Sequence, residues 1–586
     1  MADPQQVLAQ RVHDAIVASF GPDFGGADPL IRPSSFADFQ ANVALPLGKR
    51  LGRPPREVAG ELASRLDVSD VSEPPEVSGP GFINFRLLEE WIAAQASRML
   101  DDPRLGLEPA ARPQTVVVEY SSPNIAKEMH VGHLRTTIVG DAVARVLEFA
   151  GHRVIRDNHV GDWGTQFGML LEYLLDVGED SPDAALLRTD PNAFYQAARR
   201  RFDSDLSFAE RARKRVVDLQ GGDPATLQLW RELVGLSLDY LHRIYDRLGV
   251  TLTDADIRGE SFYNDLLADT VAIMEEKGIA VCSDGALCAF PPGFTGREGR
   301  PLPLIIRKSD GGYNYATTDL ATVRYRVDVL DCDRAIYVVG SDQTLHFRMV
   351  FAVARQAGWI PAGVSFEHAQ IGLVLGTDGN RLRTRSGDNP QLSDLLQEAV
   401  DRARGVLTDL EAPARFGPGE LDAIAEAVGI GAVKYADLST ARDSAYVFDW
   451  DRMISFRGDT GPYLQYATAR IRSIFRRAGA GADAGADPDF RGSRVAVAGP
   501  PERALALRLL DFGAVIAQAG ETAEPHRLCA YLFDVASLFT TFYEECPVLK
   551  AEPESLRARR LALCALTLRV LTAGLGLLGV PVPEQM

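Results

Sequence analysis

The sequence predicts a multidomain α/β protein. A doubly wound, parallel-sheet core carries a helical insertion, with an α+β module ahead of it and an all-α bundle behind. Three observations predict this. VVVEY at 116–120 and RAIYVVG at 334–340 are apolar or β-branched almost throughout, as strands buried on both faces of a parallel sheet are. The first leads through the turn Ser121-Ser122-Pro123-Asn124 into helical spacing, with Leu134, Ile138, Val139, Ala142 and Val146 on one side; the second ends at Gly340 before the polar Ser341-Asp342-Gln343. From about residue 415 the pattern is almost wholly helical.

At 586 residues the chain exceeds a single core, and about three or four domains are expected. Residues 1–112 form the first module: helical runs at Val7–Ser19, Val43–Leu51 and Arg56–Arg65, then EVSGPGFINFRL at 76–87 as turn and strand. The proline-rich stretch 101–114 reads as a linker. The core spans 113–412, with a largely helical insertion at about 176–290. Residues 303–326 read as a hairpin turning at Gly311-Gly312 and then a helix, in which Tyr315 and Asp319 share a face. The polar loop Gly376–Asp388 lies between a strand and a helix. Pro413 and Pro418 mark the start of the C-terminal bundle, 413–586, whose Gly/Ala/Asp-rich stretch between Ala478 and Gly499 reads as a loop.

Composition narrows the function. The net charge of −18 opposes broad polyanion binding, although it averages over all faces and leaves room for a local basic strip. One such strip is Arg470, Arg472, Arg476 and Arg477, interleaved with Tyr463 and Tyr466. The run at 211–215 reads as a solvated helix face. The N-terminus has no apolar signal region, and six scattered cysteines without a CxxC pair indicate neither zinc nor a disulfide framework, so a reducing cytoplasm is expected. The apolar stretch 561–580 holds Arg569 near its middle and reads as buried core rather than a membrane span.

Between the first strand and its helix lies His130-Val131-Gly132-His133. A strand-to-helix switch aims backbone N–H groups and the positive end of the helix dipole at its occupant, most often a phosphate, and Gly132 lets a flat base approach. In this context HVGH resembles the HIGH signature of class I aminoacyl-tRNA synthetases, which have a Rossmann-like core. SSPNIAKEMHVGHLR (121–135) followed by NHVGDWGTQFG (158–168) resembles arginyl-tRNA synthetases specifically. The resemblance extends to SSFADFQANVALPLGK (34–49), GPGFINF (79–85), and most of 430–479 and 524–549.

The resemblance implies ATP-dependent ligation of L-arginine to its tRNA through an arginyl-adenylate. The substrates are arginine, tRNA and ATP with Mg2+. No zinc, no tightly bound cofactor, no membrane and a monomer are expected. It implies ATP binding and catalysis by His130, Gly132, His133, Arg383, Thr384 and Arg385. Arginine is expected at Ser122, Asn124, His133, Tyr315, Asp319 and Gln343, with Glu260 as a further carboxylate. Arg383-Thr384-Arg385-Ser386-Gly387 stands where the family carries its lysine-rich KMSKS element; members that have lost it bear a lysine ahead of the first histidine, where Lys127 stands among only seven lysines. Contacts to the tRNA are implied for Phe82 and Asn84 at the elbow, and for Tyr463, Tyr466 and Arg470 in the anticodon-binding bundle. Glu119 reads alternatively as structural, orienting the turn. In this family, amino-acid activation requires bound tRNA. Two rivals are a class I synthetase for another amino acid, such as cysteine, and a non-catalytic tRNA-binding paralogue. Asp319 with the missing zinc spacing argues against the first, and the intact HVGH and Gln343 against the second.

Overall fold

The structure is a computed structural model that describes residues 3–125, 127–178, 180–296, 299–309, 311–382, 390–409, 415–479 and 488–586. In the N-terminal module, β1 (Ile31–Pro33), β2 (Phe39–Ala41), β3 (Glu76–Ser78) and β4 (Phe82–Phe85) form an antiparallel sheet in the order β1-β2-β4-β3. Helices Pro4–Phe20, Ala44–Leu51 and Pro55–Arg65 bury Leu8, Val12, Leu47, Val58 and Leu62 in the same core as Ile83 and Phe85. The stretch after helix Glu89–Asp101 is anchored rather than loose. Leu105 and Leu107 are buried, Arg104 donates to the Phe149 carbonyl at 2.7 Å, and Arg569 donates to the carbonyls of Leu100 and Asp102.

The core opens with β5 (Thr115–Glu119), helix Val131–Phe149 and β6 (Arg153–Asp157). The insertion follows as helices Thr165–Val177, Pro182–Thr189, Pro191–Ser204, Leu206–Gln220 and the long Pro224–Leu248. Arg211 and Arg215, within the basic run, pair with Glu172 at 2.8 and 3.0 Å, so those cations are spent inside the insertion. Helix Asn264–Glu276 leads to a three-stranded sheet of β7 (Ala280–Ser283), β8 (Ala286–Ala289) and β9 (Leu304–Arg307). The expected hairpin at Gly311-Gly312 closes through one isolated bridge, Arg307 to Tyr313. Asn314 caps the next helix, Tyr315–Asp328, by accepting the Tyr315 N–H, so no residues remain for a second strand and β9 pairs with β8 instead.

β10 (Arg334–Gly340), helix Thr344–Gln356 and β11 (Ser365–Ile371) complete a four-stranded sheet in the order β11-β10-β5-β6, with every pair parallel. The two crossovers run in opposite directions from the central pair, so the strand order reverses between β5 and β10. Ligands of doubly wound sheets bind at that switch point, beyond the carboxyl ends of the strands.

The C-terminal bundle comprises helices Pro418–Leu438, Gly461–Ala478, Pro500–Leu510, Phe512–Thr522, His526–Glu545 and Glu554–Leu577. Ahead of its helix Gly461–Ala478, β13 (Tyr446–Val447) pairs in parallel with β12 (Val374–Leu375) of the core. Helix Glu554–Leu577 is long and apolar enough to cross a membrane, yet 72% of its most apolar window is buried inside the protein. A bidentate pair between Arg503 and Asp38, at 2.7 Å for each bond, joins the bundle to the N-terminal module.

Candidate active site

Beyond β5 and β10 opens a cleft of about 340 Å³, lined among others by Ser122, His130, Gly132, His133, Gln343 and Arg381. His130 caps the helix that follows, and its ring stacks on that of His133 with centroids 3.9 Å apart. The Gly132 N–H donates to His130 Nδ1 at 3.0 Å, and the His130 N–H donates to His133 Nδ1 at 3.1 Å. A neutral imidazole whose Nδ1 accepts must carry its proton on Nε2, so each ring keeps one Nε2–H donor for a phosphate oxygen. Burial lowers both imidazole pKa values, to about 3 for His133, where His130 adds to the effect. Both rings are therefore neutral donors at pH 7. A Cβ on residue 132 would lie 2.8 Å from His130 Cε1, so only glycine leaves this packing intact.

Lys127 is exposed, and its ammonium lies 4.7 Å from the ring centroid of Tyr195 in the insertion. Its charge still acts on both histidines, lowering their pKa values further. Arg383, Thr384 and Arg385 lie outside the described residues. From the same loop Arg381 lines the cleft, a position that sequence reading passed over.

A second group of side chains gathers around Asp319. Asp319, on the first turns of helix Tyr315–Asp328, is largely buried and bonded through Oδ2 to His346 Nε2 at 2.5 Å. Tyr315 is 57% exposed and its ring lies 4.7 Å from that of His346. Asp319 interacts electrostatically with Glu260, His159 and Glu119, which places these groups in one charged neighbourhood. Desolvation raises the Glu260 carboxyl to about 7, with Asp162 and Asp319 adding to the rise and His159 opposing it. Asp162 accepts the Ser261 N–H at 2.9 Å and the Ser261 hydroxyl at 2.6 Å. A Cβ on residue 259 would meet Asp162 Oδ2 at 2.5 Å, so Gly259 allows this close approach. The arrangement is a largely buried, carboxylate-rich wall suited to a delocalised cation.

Glu119 belongs to the same charged neighbourhood. It is 5% exposed and paired with Arg326 at 2.5 Å; Arg326 also holds Asp157 at 3.0 Å and lies over the Tyr337 ring. Burial raises the Glu119 carboxyl although Arg326 opposes the rise. The Arg326 pairing supports the structural reading of Glu119. Neither Arg326 nor His346 was singled out from sequence. Asp319 and His346 stand 27 residues apart, and Glu119 and Arg326 207 apart, so only the fold joins them.

Ser122 accepts the His159 N–H on Oγ at 3.2 Å, and Asn124 sits exposed on a backbone bridge to Gly161. Of the arginine set, the cleft unites Ser122, His133 and Gln343, while Tyr315, Asp319 and Glu260 belong to the carboxylate wall. The RNA candidates lie far apart in the chain. Phe82 is half-buried, while Asn84 is buried with its amide donating to Ser78 Oγ at 2.7 Å. In the bundle Tyr466 is 45% exposed, Arg470 lies 4.5 Å over the Tyr543 ring, and the Tyr463 hydroxyl is 3.3 Å from that of Thr540. Arg472 instead donates to the Pro583 carbonyl, so the basic strip does not share one face.

Three family models match the chain in succession: the arginyl-tRNA synthetase N-terminal domain over 5–87, the class I (R) tRNA synthetase catalytic domain over 96–450, and the DALR anticodon-binding domain over 464–586. Relatives named arginine–tRNA ligase include those of Thermobifida fusca, 61% identical, and Synechococcus elongatus, 49% identical, each over the full length of both chains. Among solved structures, the arginyl-tRNA synthetase of Plasmodium falciparum is 28% identical with a TM-score of 0.82 over all of both chains. That of Thermus thermophilus is 27% identical with a TM-score of 0.79, over 99% of this chain and all of that one. The strand order, the HVGH cleft and these full-length matches converge: the chain belongs to the arginyl-tRNA synthetases, class I enzymes that use ATP to join arginine to its tRNA.

Proposed function

We propose that the carboxylate wall of Asp319 and Glu260, with Tyr315, reads the guanidinium of arginine, while Ser122, Asn124, His133 and Gln343 hold its α-amino and carboxylate end. The observation that carries this reading is the largely buried Asp319, which shares one charged neighbourhood with Glu260 and with His159, whose N–H donates to Ser122 in the cleft. The substrate carboxylate attacks the α-phosphorus of ATP and pyrophosphate leaves; the 2′-hydroxyl of the terminal ribose then takes the arginyl group. No protein nucleophile is needed, and the side chains act by positioning and by charge. The Nε2–H donors of His130 and His133 face phosphate oxygens, and Arg381 with the Arg383–Arg385 segment and Lys127 balances charge on the departing pyrophosphate. Mg2+ arrives with ATP as part of the substrate. Phe82, Tyr463, Tyr466 and Arg470 contact the RNA, whereas Asn84, buried with its amide on Ser78, does not reach it. The Arg503–Asp38 and Arg569–Asp102 ties hold the N-terminal module and bundle together within one chain. Charging total tRNA with each radioactive amino acid in turn tests the reading: arginine alone should be incorporated, and incorporation of another amino acid in its place overturns it.

Two predictions arise at this site. A carboxyl titrating near 7 is charged above that pH and neutral below it. The KM for arginine is therefore expected to rise as pH falls from 8 to 6, and Glu260→Gln should flatten the profile. An unchanged profile in Glu260→Gln would remove Glu260 from the cation site. Lys127→Ala should lower kcat for adenylate formation roughly 10- to 150-fold, the worth of one charged hydrogen bond at about 1.5–3 kcal/mol. The KM for arginine should hold, because that charge matters as pyrophosphate departs. A wild-type kcat would make Lys127 only the partner of Tyr195.

A further inference from the structure

The turn that carries Ser122 is strained. Ser121 and Ser122 have φ of 67° and 45°, left-handed values at two consecutive residues with side chains. Such a conformation is disfavoured for a residue with a side chain and persists only where its surroundings over-determine it. Here the surroundings are a buried polar cluster drawn from four segments. Tyr245, on the long insertion helix Pro224–Leu248, places its hydroxyl 2.7 Å from Ser121 Oγ. Asn158, at the end of β6, donates from Nδ2 to that same hydroxyl at 3.1 Å and accepts the Ser122 N–H on Oδ1 at 3.0 Å. Thr137 lies 2.9 Å from Ser121 Oγ and donates to the His133 carbonyl at 2.7 Å. Tyr245, Ser121, Asn158 and Thr137 are all buried, at most 4% exposed. Burial pushes the Tyr245 phenol up to about 12, so it remains a hydroxyl throughout the working range.

This geometry exceeds what packing requires. The apolar ring of Tyr245 would fill the same space without its oxygen, yet the oxygen meets both residues that fix the turn, Ser121 directly and Ser122 through the Asn158 amide. We propose that Tyr245 and Asn158 are positioning residues for the amino-acid end of the substrate: they hold Ser121 and Ser122 in the left-handed turn, and through Thr137 they set that turn against the helix of His130 and His133. The inference rests on the reading that Ser122 contacts arginine. It also gives the insertion a part in the active site, since its longest helix supplies the central hydroxyl.

The test is Tyr245→Phe in the full chain, with steady-state constants for arginine and ATP and with thermal unfolding. The KM for arginine should rise about three- to tenfold, as the loss of one or two neutral hydrogen bonds implies. The kcat and the KM for ATP should stay within about twofold of the parent, and Tm close to it. Ser121→Ala should have a similar effect, and the double variant should fall well short of the product of the two, because both remove the same link. An unchanged arginine KM in Tyr245→Phe, or a parallel decline of kcat, both KM values and Tm, overturns the proposal. If Tyr245→Phe proves too unstable to assay, Ser121→Ala alone decides by the same split between KM and kcat. Ser122→Ala, measured alongside, separates the two levels. A silent Ser122→Ala removes the underlying reading and this inference with it; an arginine KM raised in Ser122→Ala but not in Tyr245→Phe removes the inference alone.

Discussion

Arginine-dependent ATP–pyrophosphate exchange is expected to be negligible with the purified protein and to appear when cognate tRNA is added. The family resemblance carries this expectation, and the site gives it a physical basis. Asp319 is held by His346 at 2.5 Å, and Lys127 lies on Tyr195 of the insertion, so both assigned groups are engaged with other side chains. The Ser121-Ser122 turn depends on a helix of that same insertion. RNA gripped by the N-terminal module and the bundle would favour the arrangement in which these groups meet the substrate, provided it binds that arrangement more tightly. Exchange is measured without RNA, with cognate transcript, and with a transcript whose 3′ end cannot accept arginine. The blocked transcript should also restore exchange, because binding rather than transfer supplies the coupling. Robust exchange without RNA would end the coupling argument and leave the ligase assignment standing.

The second large effect is on stability. Arg326→Met should destabilise the core by about 3–5 kcal/mol, because Glu119 and Asp157 would be left buried without their shared cation. The loss has a sign in pH. Burial already raises the Glu119 carboxyl, so in the variant that carboxylate is costly where it is ionised and the cost eases as acid neutralises it. Denaturant unfolding of parent and variant at pH 8 and pH 5.5 should show the larger difference at the higher pH. Adding Glu119→Gln to Arg326→Met should recover part of the loss. Equal differences at both pH values would mean that Arg326 acts through packing on Tyr337 rather than through charge.

These residues also show what could be read without coordinates. β5 and β10 were legible because strands buried on both faces leave continuous apolar runs, and the HVGH turn because its histidines and glycine stand together in the chain. Tyr315 and Asp319 were legible as a pair because helical spacing joins them. Other features depend on distant partners. His346 matters because it meets Asp319, Tyr245 because its hydroxyl reaches Ser121 across 124 positions, and Arg326 because it neutralises two strands at once. Periodicity carries no record of such pairings. Likewise β13 is two residues long and exists only because β12 lies beside it, so its sequence reads as part of a helical bundle. Glu260 was visible as a carboxylate in a polar loop, but its elevated titration follows from burial beside Asp162 and Asp319.

In the reading proposed above, the largely buried Asp319 and Glu260 carboxylates hold the guanidinium. Asp319→Asn keeps the side chain's shape and removes the charge, so the KM for arginine in exchange with cognate tRNA present tests that claim most directly. A hydrogen bond to a charged group is worth about 1.5–3 kcal/mol, so the KM for arginine should rise roughly 10- to 150-fold while that for ATP stays near the parent value. An arginine KM within twofold of the parent in a folded Asp319→Asn variant would contradict the account and move the cation site away from this wall.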